Sequence, residues 1–322
     1  MQAISRDRLL PPLPALPHLI VVTDGALASI PFELLKDGTR LLIESHDVTY
    51  MPTAAMLLRP VAPIRRFAPP WTVQFRGFAD PVFGSASFDD AKAMRLAGSS
   101  REVRDIASEL GGRSLLFIGR DDRKSELARD ASVPMVHIAS HAFVDPNAIE
   151  RSRILFSATS RNGPADYLFL KEVYDLPFRD VELAVLSACD TERGRATTGE
   201  GIESFSRALL AAGAKSTVTT LWRVPDETTA AFMRLFYHHL QRGVSRAEAL
   251  RLTKLRFMRS GADSRDWAAF VLTGDGLRPI STAIRWRTVI LVSLAMIAIV
   301  LLWRALRFPR GHIAIRPRRI PR

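Results

Sequence analysis

Two places in this chain join a nucleophile or a base to the end of an apolar run. The first is His137-Ile138-Ala139-Ser140-His141, where an apolar segment delivers one histidine within its span and a second just past it. The other is Leu183-Ala-Val-Leu-Ser-Ala-Cys189, which runs straight into Asp190-Thr-Glu192-Arg-Gly194. Cys189 is the only cysteine among 322 residues, which rules out an internal disulfide and fits a reducing compartment. A thiol there is either a small buried hydrophobe, the common fate of free cysteine, or a nucleophile presented at the end of a strand. Thiol catalysis needs an imidazole beside the sulfur. The thiolate attacks a carbonyl carbon, and the imidazole takes the thiol proton and later protonates the leaving amine. His141 and Cys189, delivered by two successive parallel strands, would meet that need. His137, inside its strand, reads as a packed or hydrogen-bonded core histidine. No metal is expected: histidines four apart bind zinc from a helix with glutamate after the first, and position 138 is isoleucine. A serine triad has less support, because Ser140, Ser187 and Ser216 lie in or beside apolar strands and Gly-x-Ser-x-Gly does not occur.

The elements that must position these groups follow from patterning. Short continuous apolar runs at Leu19–Thr23, Val73–Phe78, Ser114–Ile118, Met135–Ala139, Leu183–Ser187, Ser216–Leu221 and Ala268–Leu272 predict strands covered on both faces. Helices are expected at Arg101–Leu110, stopped by Gly111-Gly112, and at Arg123–Asp130. Another carries the stripe Ile202, Phe205, Leu209 and Ala212 and ends at Gly213. Asp226 would cap a helix to Gln241, and Ser245 one ending near Gly261. Arg59–Pro70 and Asp263–Asp266 read as loops. Strand–helix alternation argues for an α/β fold, a three-layer sandwich with a mostly parallel central sheet.

The net charge of +12 suggests a nucleic-acid surface until it is located. Nine arginines and no acid follow Ile284, so the first 284 residues carry only +3, and a basic groove for nucleic acid finds little support. The same region holds Val289–Trp303, with Ser293 its one polar residue, bracketed by Arg285-Trp286-Arg287 and Trp303-Arg304. This predicts a C-terminal apolar helix over residues 284–304, transmembrane or dipping into a bilayer, followed by a basic tail at 305–322. No secretory signal opens the chain, because prolines interrupt its first apolar stretch. The expectation is a cytoplasmic body at residues 1–280, associated with a membrane through its C-terminus.

Several strings in register resemble one family. HIASHAFVDP, SACDTERG and LLAAGAKSTVTTLWRVPDETT, together with VTDGAL…IPFELL (residues 22–35) and GRDDRKSEL (119–127), are similar to the CHAT domain of caspase-like cysteine peptidases. The resemblance covers roughly residues 8 to 276. It implies a caspase–haemoglobinase fold and a catalytic dyad of His141 and Cys189, with no cofactor. It also implies an oxyanion contact from backbone N–H groups, here those of Ala142 and Cys189. The family usually has glycine where this chain has Ala142, which keeps the N–H but restricts φ and adds a methyl group. Asp190 and Glu192 are candidates to bind a basic substrate side chain, or else they cap the loop. Trp222 reads as core. Family analogy suggests a protein substrate in bacterial stress, defence or cell-death signalling. Sensor repeats often precede the domain in relatives, so a separate sensor or regulatory protein, and an early part of the fold encoded apart, are expected. The competing function is a catalytically inactive scaffold that binds proteins at the membrane.

Overall fold

The computed structural model describes residues 16–22, 25–58, 72–84, 95–129, 132–145, 148–160, 163–188, 200–280 and 286–307. The chain divides into two units, Met1–Ala283 and Ile284–Arg322.

The first unit is built on an eight-stranded sheet. Its strands are β1 (His18–Val22), β2 (Asp47–Met51), β3 (Val73–Ala79), β4 (Arg113–Ile118), β5 (Met135–Ala139), β6 (Leu183–Ser187), β7 (Ser216–Thr220) and β8 (Phe270–Gly274). Their order across the sheet is β1-β2-β8-β7-β6-β5-β3-β4. Every neighbouring pair is parallel except β7 with β8. The α/β class and mostly parallel sheet read from the sequence are therefore the ones found. Asp47–Met51 is an addition that the apolar pattern missed.

Side-chain alternation sends each strand's residues to two different layers. From β5 and β6, Met135, Leu183 and Val185 pack on one face. They meet α1 (Ala97–Leu110), α3 (Asp226–Gln241) and α4 (Arg246–Arg259). α1 buries Ser99, Glu102, Val103, Ile106 and Leu110, one stripe at helical spacing. The ring of Phe232 on α3 stacks 3.8 Å from that of Phe270 on β8. Val136, Ile138, Ala184 and Leu186 point the other way, onto Phe205, Ala208 and Leu209 of α2 (Glu200–Ala211). A small antiparallel sheet of Ala142–Phe143, Arg153–Phe156 and Asp166–Phe169 completes that layer.

The helix ends obey local chemistry. α1 stops at Gly111 in the left-handed conformation, φ 61°. α2 is followed by Gly213 at φ 118°, where a Cβ would come within 2.9 Å of the Arg179 backbone, so only glycine fits. Ser245 caps α4 by accepting from the Glu248 N–H. Asp226 does not cap α3: Pro225 holds that position, and Asp226 is the first helical residue, where its carboxylate still suits the helix dipole. The expected loop at Asp263–Asp266 instead enters a short helix, Ser264–Trp267, because the Asp263 side chain accepts from the Arg265 N–H. That turn ends with the Ala268 N–H on Ser264 O, which is why β8 starts at Phe270 and not Ala268. Arg59–Pro70 lies outside the described residues.

Among the described residues the second unit contains one helix, α5 (Trp286–Arg307). Its large apolar residues, among them Leu291, Leu294, Ile297, Leu301 and Trp303, are exposed. A helix spans Trp286–Arg307 where one was expected over residues 284–304, but its reading as transmembrane is corrected. Among the described residues no helix is long and apolar enough to cross a membrane. The uncharged run Val289–Trp303 rises only about 22 Å at 1.5 Å per residue, against about 30 Å of hydrocarbon.

Candidate active site

The carboxyl ends of β5, β6 and β7 open onto one cleft of about 60 Å³. Ser140 and His141 follow β5, Ser187 and Ala188 close β6, and Thr220 closes β7. The N-terminal turns of α1 and α3 supply the opposite wall, with Ser99 and Glu102 from one and Asp226 and Thr229 from the other. A crevice beyond the carboxyl ends of parallel strands is where open α/β sheets bind ligands.

His141 lines this cleft at 8% exposure, its ring stacked near that of Phe143 with centroids 6.3 Å apart. Its carbonyl accepts from the Leu155 N–H at 2.9 Å, which ties the turn after β5 to the small sheet. β5 and β6 pair in parallel with Ala139 opposite Ser187. Along the sequence each of those residues stands two positions before a candidate dyad member, His141 or Cys189. Cys189, Asp190 and Glu192 themselves lie outside the described residues.

Ala142 is described, and it belongs to the apolar cluster that includes Ile154 and Phe78. Among the described residues the one non-glycine with positive φ is Asp80, so Ala142 occupies ordinary backbone space. The restriction expected from replacing glycine here therefore costs nothing in this backbone.

His137 is fully buried, as a core histidine should be, and both of its nitrogens have partners. Nε2 lies 2.9 Å from Glu102 Oε1, and Nδ1 lies 3.2 Å from the Tyr237 hydroxyl. Burial first, and the Glu102 charge second, hold the Tyr237 phenol well above its ordinary range, so it keeps its proton.

One strand over, Asp80 follows β3 in the left-handed conformation, φ 55°. Its N–H donates to the Ser99 hydroxyl at 3.0 Å, and its carboxylate pairs with Arg95. Asp122, after β4, is fully buried, and among the described residues neither carboxylate oxygen has a hydrogen-bond partner. Burial, then the nearby Asp80 charge, raises the Asp122 carboxyl well above the ordinary carboxylate range. Trp222 is only half-buried, its indole N–H donating to Arg265 O at 2.8 Å, so it edges the core instead of filling it. Among the described residues no group of three or more His, Cys, Asp or Glu side chains could hold a metal ion.

The sequence did not single out Glu102, Asp80 or Asp122. For Glu102 a signal existed: a carboxylate within an otherwise apolar helical stripe, Val103, Ile106 and Leu110, with Ser99. The partner that gives it meaning, His137, is 35 residues away and visible only in the fold.

Comparison with known proteins places these features in context. The sequence profile of the CHAT domain matches residues 3–275. Over 300 residues the chain is 25% identical to tetratricopeptide repeat protein 28 of Mus musculus, an alignment covering 81% of this chain and 12% of that protein. The chain thus spans 12% of the length of the curated relatives it matches. Among solved structures, it is similar to the Saccharomyces cerevisiae separase–securin complex (TM-score 0.48, 12% identity, 77% of this chain and 15% of that one). It is also similar to the Drosophila initiator caspase Dronc (TM-score 0.38, 9% identity, 65% of this chain and 81% of that one).

Proposed function

This chain belongs to the CHAT domain family, and on that premise we propose that it is a cysteine endopeptidase acting on a dedicated protein partner through His141 and Cys189. The observation that carries the reading is the β5–β6 register, Ala139 opposite Ser187. Two residues further along the sequence from that pair stand His141, which lines the cleft, and Cys189.

The chemistry follows from those two groups. His141 accepts the Cys189 proton, and the thiolate adds to the carbonyl carbon of the scissile bond. Negative charge moves to the carbonyl oxygen, where the N–H groups of Ala142 and Cys189 serve as donors. The C–N bond breaks as His141 passes its proton to the leaving amine, and a thioester remains. Water then attacks the thioester while His141 takes its proton, and the thiol is regenerated on release of the acid product. Asp190 and Glu192, next to the nucleophile in sequence, are assigned to recognition of the substrate side chain.

The alternative, an inactive scaffold that binds proteins at the membrane, drew on the alanine at 142 and on a sensor region expected apart; the ordinary φ of Ala142 weighs against the first of these grounds. A substrate that is a protein, a separate sensor and a cytoplasmic location belong to the same proposal. α5 is proposed to lie in a membrane interface without crossing it, its exposed apolar residues taken up by acyl chains and its flanking arginines by headgroups. A digest of a peptide library by the purified protein tests the activity. Cleavage lost in both Cys189→Ala and His141→Ala is the expected result, and cleavage that survives either change would remove the dyad.

A further inference from the structure

We infer that Phe143, braced by Arg153, is a positioning residue for the imidazole of His141. The inference rests on the peptidase reading for the use made of that imidazole, but the orientation of the ring is a property of the fold alone.

The main chain around His141 is tied down at two successive residues. The Leu155 N–H donates to His141 O at 2.9 Å, and the Ser140 hydroxyl donates to Leu155 O. That leaves the side chain, whose two torsions decide where each ring nitrogen points. A general base works only with its nitrogen held toward the proton it takes. Side chains two apart on extended chain share a face, which places Phe143 beside His141. The two rings lie at 28° to each other with centroids 6.3 Å apart, within the range of offset aromatic pairs. A flat ring there restricts rotation of the imidazole out of its plane.

Phe143 is in turn held from across the small sheet. It stands directly opposite Arg153, whose Cζ lies 5.5 Å from the Phe143 ring centroid and 5.7 Å from that of Tyr167. Both are cation–π distances. Arg153 is 8% exposed, and its Nη1 donates to Arg151 O at 3.0 Å, so the guanidinium itself has little freedom. Leucine or valine would fill a buried strand position beside two rings equally well if packing were its only use. A cation adds a directional contact, which fixes the Phe143 ring and through it the imidazole.

Inactivation of the full chain by an arginyl chloromethyl ketone, with alkylation of Cys189 followed by mass spectrometry, separates the maximal rate from the affinity for the reagent. Phe143→Leu keeps apolar bulk and removes the flat ring. Its maximal rate should fall about three- to tenfold, the size of one aromatic contact, with affinity unchanged. Phe143→Tyr should keep the rate within about twofold of wild type. Arg153→Met, which retains the stem and loses the cation, should show a smaller loss of the same kind. A wild-type rate in F143L, a loss confined to affinity, or a rate in F143Y as low as in F143L would overturn the inference.

His141→Ala separates this result from the peptidase reading. If H141A is slowed while F143L matches wild type, the dyad stands and Phe143 falls. If H141A matches wild type, the dyad falls, and nuclear magnetic resonance of the imidazole decides Phe143 by itself. With isotope-labelled histidine, the His141 ring signals, assigned by their loss in H141A, should move in F143L and far less in F143Y. Signals that stay in place in F143L would overturn the positioning role.

Discussion

Ala139 on β5 and Ser187 on β6 stand directly opposite each other in a parallel pairing, so the two strands leave the sheet at one level. Parallel neighbours rise together, and residues equally far beyond such a pair emerge at a common rim. A dyad built from the two exits needs no unusual backbone at its base, and Ala142 beside it has none.

That geometry bears on the alanine. Ala142→Gly should change kcat/KM for peptide cleavage by less than about threefold, because the alanine's φ is already ordinary. The same change should lower stability by about 1 kcal/mol through loss of a buried methyl and gain of backbone freedom. Steady-state kinetics paired with urea unfolding distinguishes the two effects. A large gain in activity would mean that the methyl obstructs the site after all.

Asp122 makes stability depend on pH. Its folded-state pKa is raised by burial and then by Asp80, so above the ordinary aspartate value the unfolded chain releases a proton that the folded chain retains. Its contribution is thus fully present below about pH 4 and is lost as pH rises through the folded value. Each unit of that shift is worth about 1.4 kcal/mol. Asp122→Asn should therefore gain more than about 1 kcal/mol relative to wild type between pH 4 and pH 7, measured by chemical unfolding at both. A constant difference across that range would contradict a protonated, buried carboxyl.

A second buried network anchors the segment after β1. Lys254 Nζ on α4 lies 2.6 Å from Glu33 Oε1, and the Tyr50 hydroxyl donates to Glu33 Oε2 at 2.6 Å. With Lys254 and Glu33 at 1% and 3% side-chain exposure, removing one partner leaves an uncompensated charge. Lys254→Met should cost about 3–5 kcal/mol, and adding Glu33→Gln should recover part of that loss. Urea melts of the two variants measure it; additive losses would show that the ions do not act as a pair.

The C-terminal unit is tested by vesicle flotation. The full chain should float with vesicles containing anionic lipid, and less with purely zwitterionic ones, while a chain ending at Ala283 should remain at the bottom. Equal behaviour of the two chains would remove the membrane from the account.

How far the sequence foretold this fold depended on how much polarity each element buries. Met135–Ala139 and Leu183–Ser187 are almost wholly apolar, and both strands have the predicted bounds. Asp47–Met51 escaped notice because Thr49 is buried and Tyr50 carries its hydroxyl into the Glu33 network, which breaks the apolar run. Arg153–Phe156 hid for a related reason: Arg153 is buried with its guanidinium over the rings of Phe143 and Tyr167, contacts that come from distant segments. His141 was legible from its place past a strand. Glu102 was not, because a helical carboxylate looks solvated until its partner across the sheet is known.

The central claim is that His141 activates Cys189, and the pH dependence of thiol alkylation tests it most directly. Iodoacetamide should modify Cys189 of the wild type with an apparent pKa below that of an ordinary thiol. In His141→Ala that value should rise and the rate at pH 7 fall at least tenfold, with the fold intact by circular dichroism. The same profile in both proteins would contradict a functional dyad.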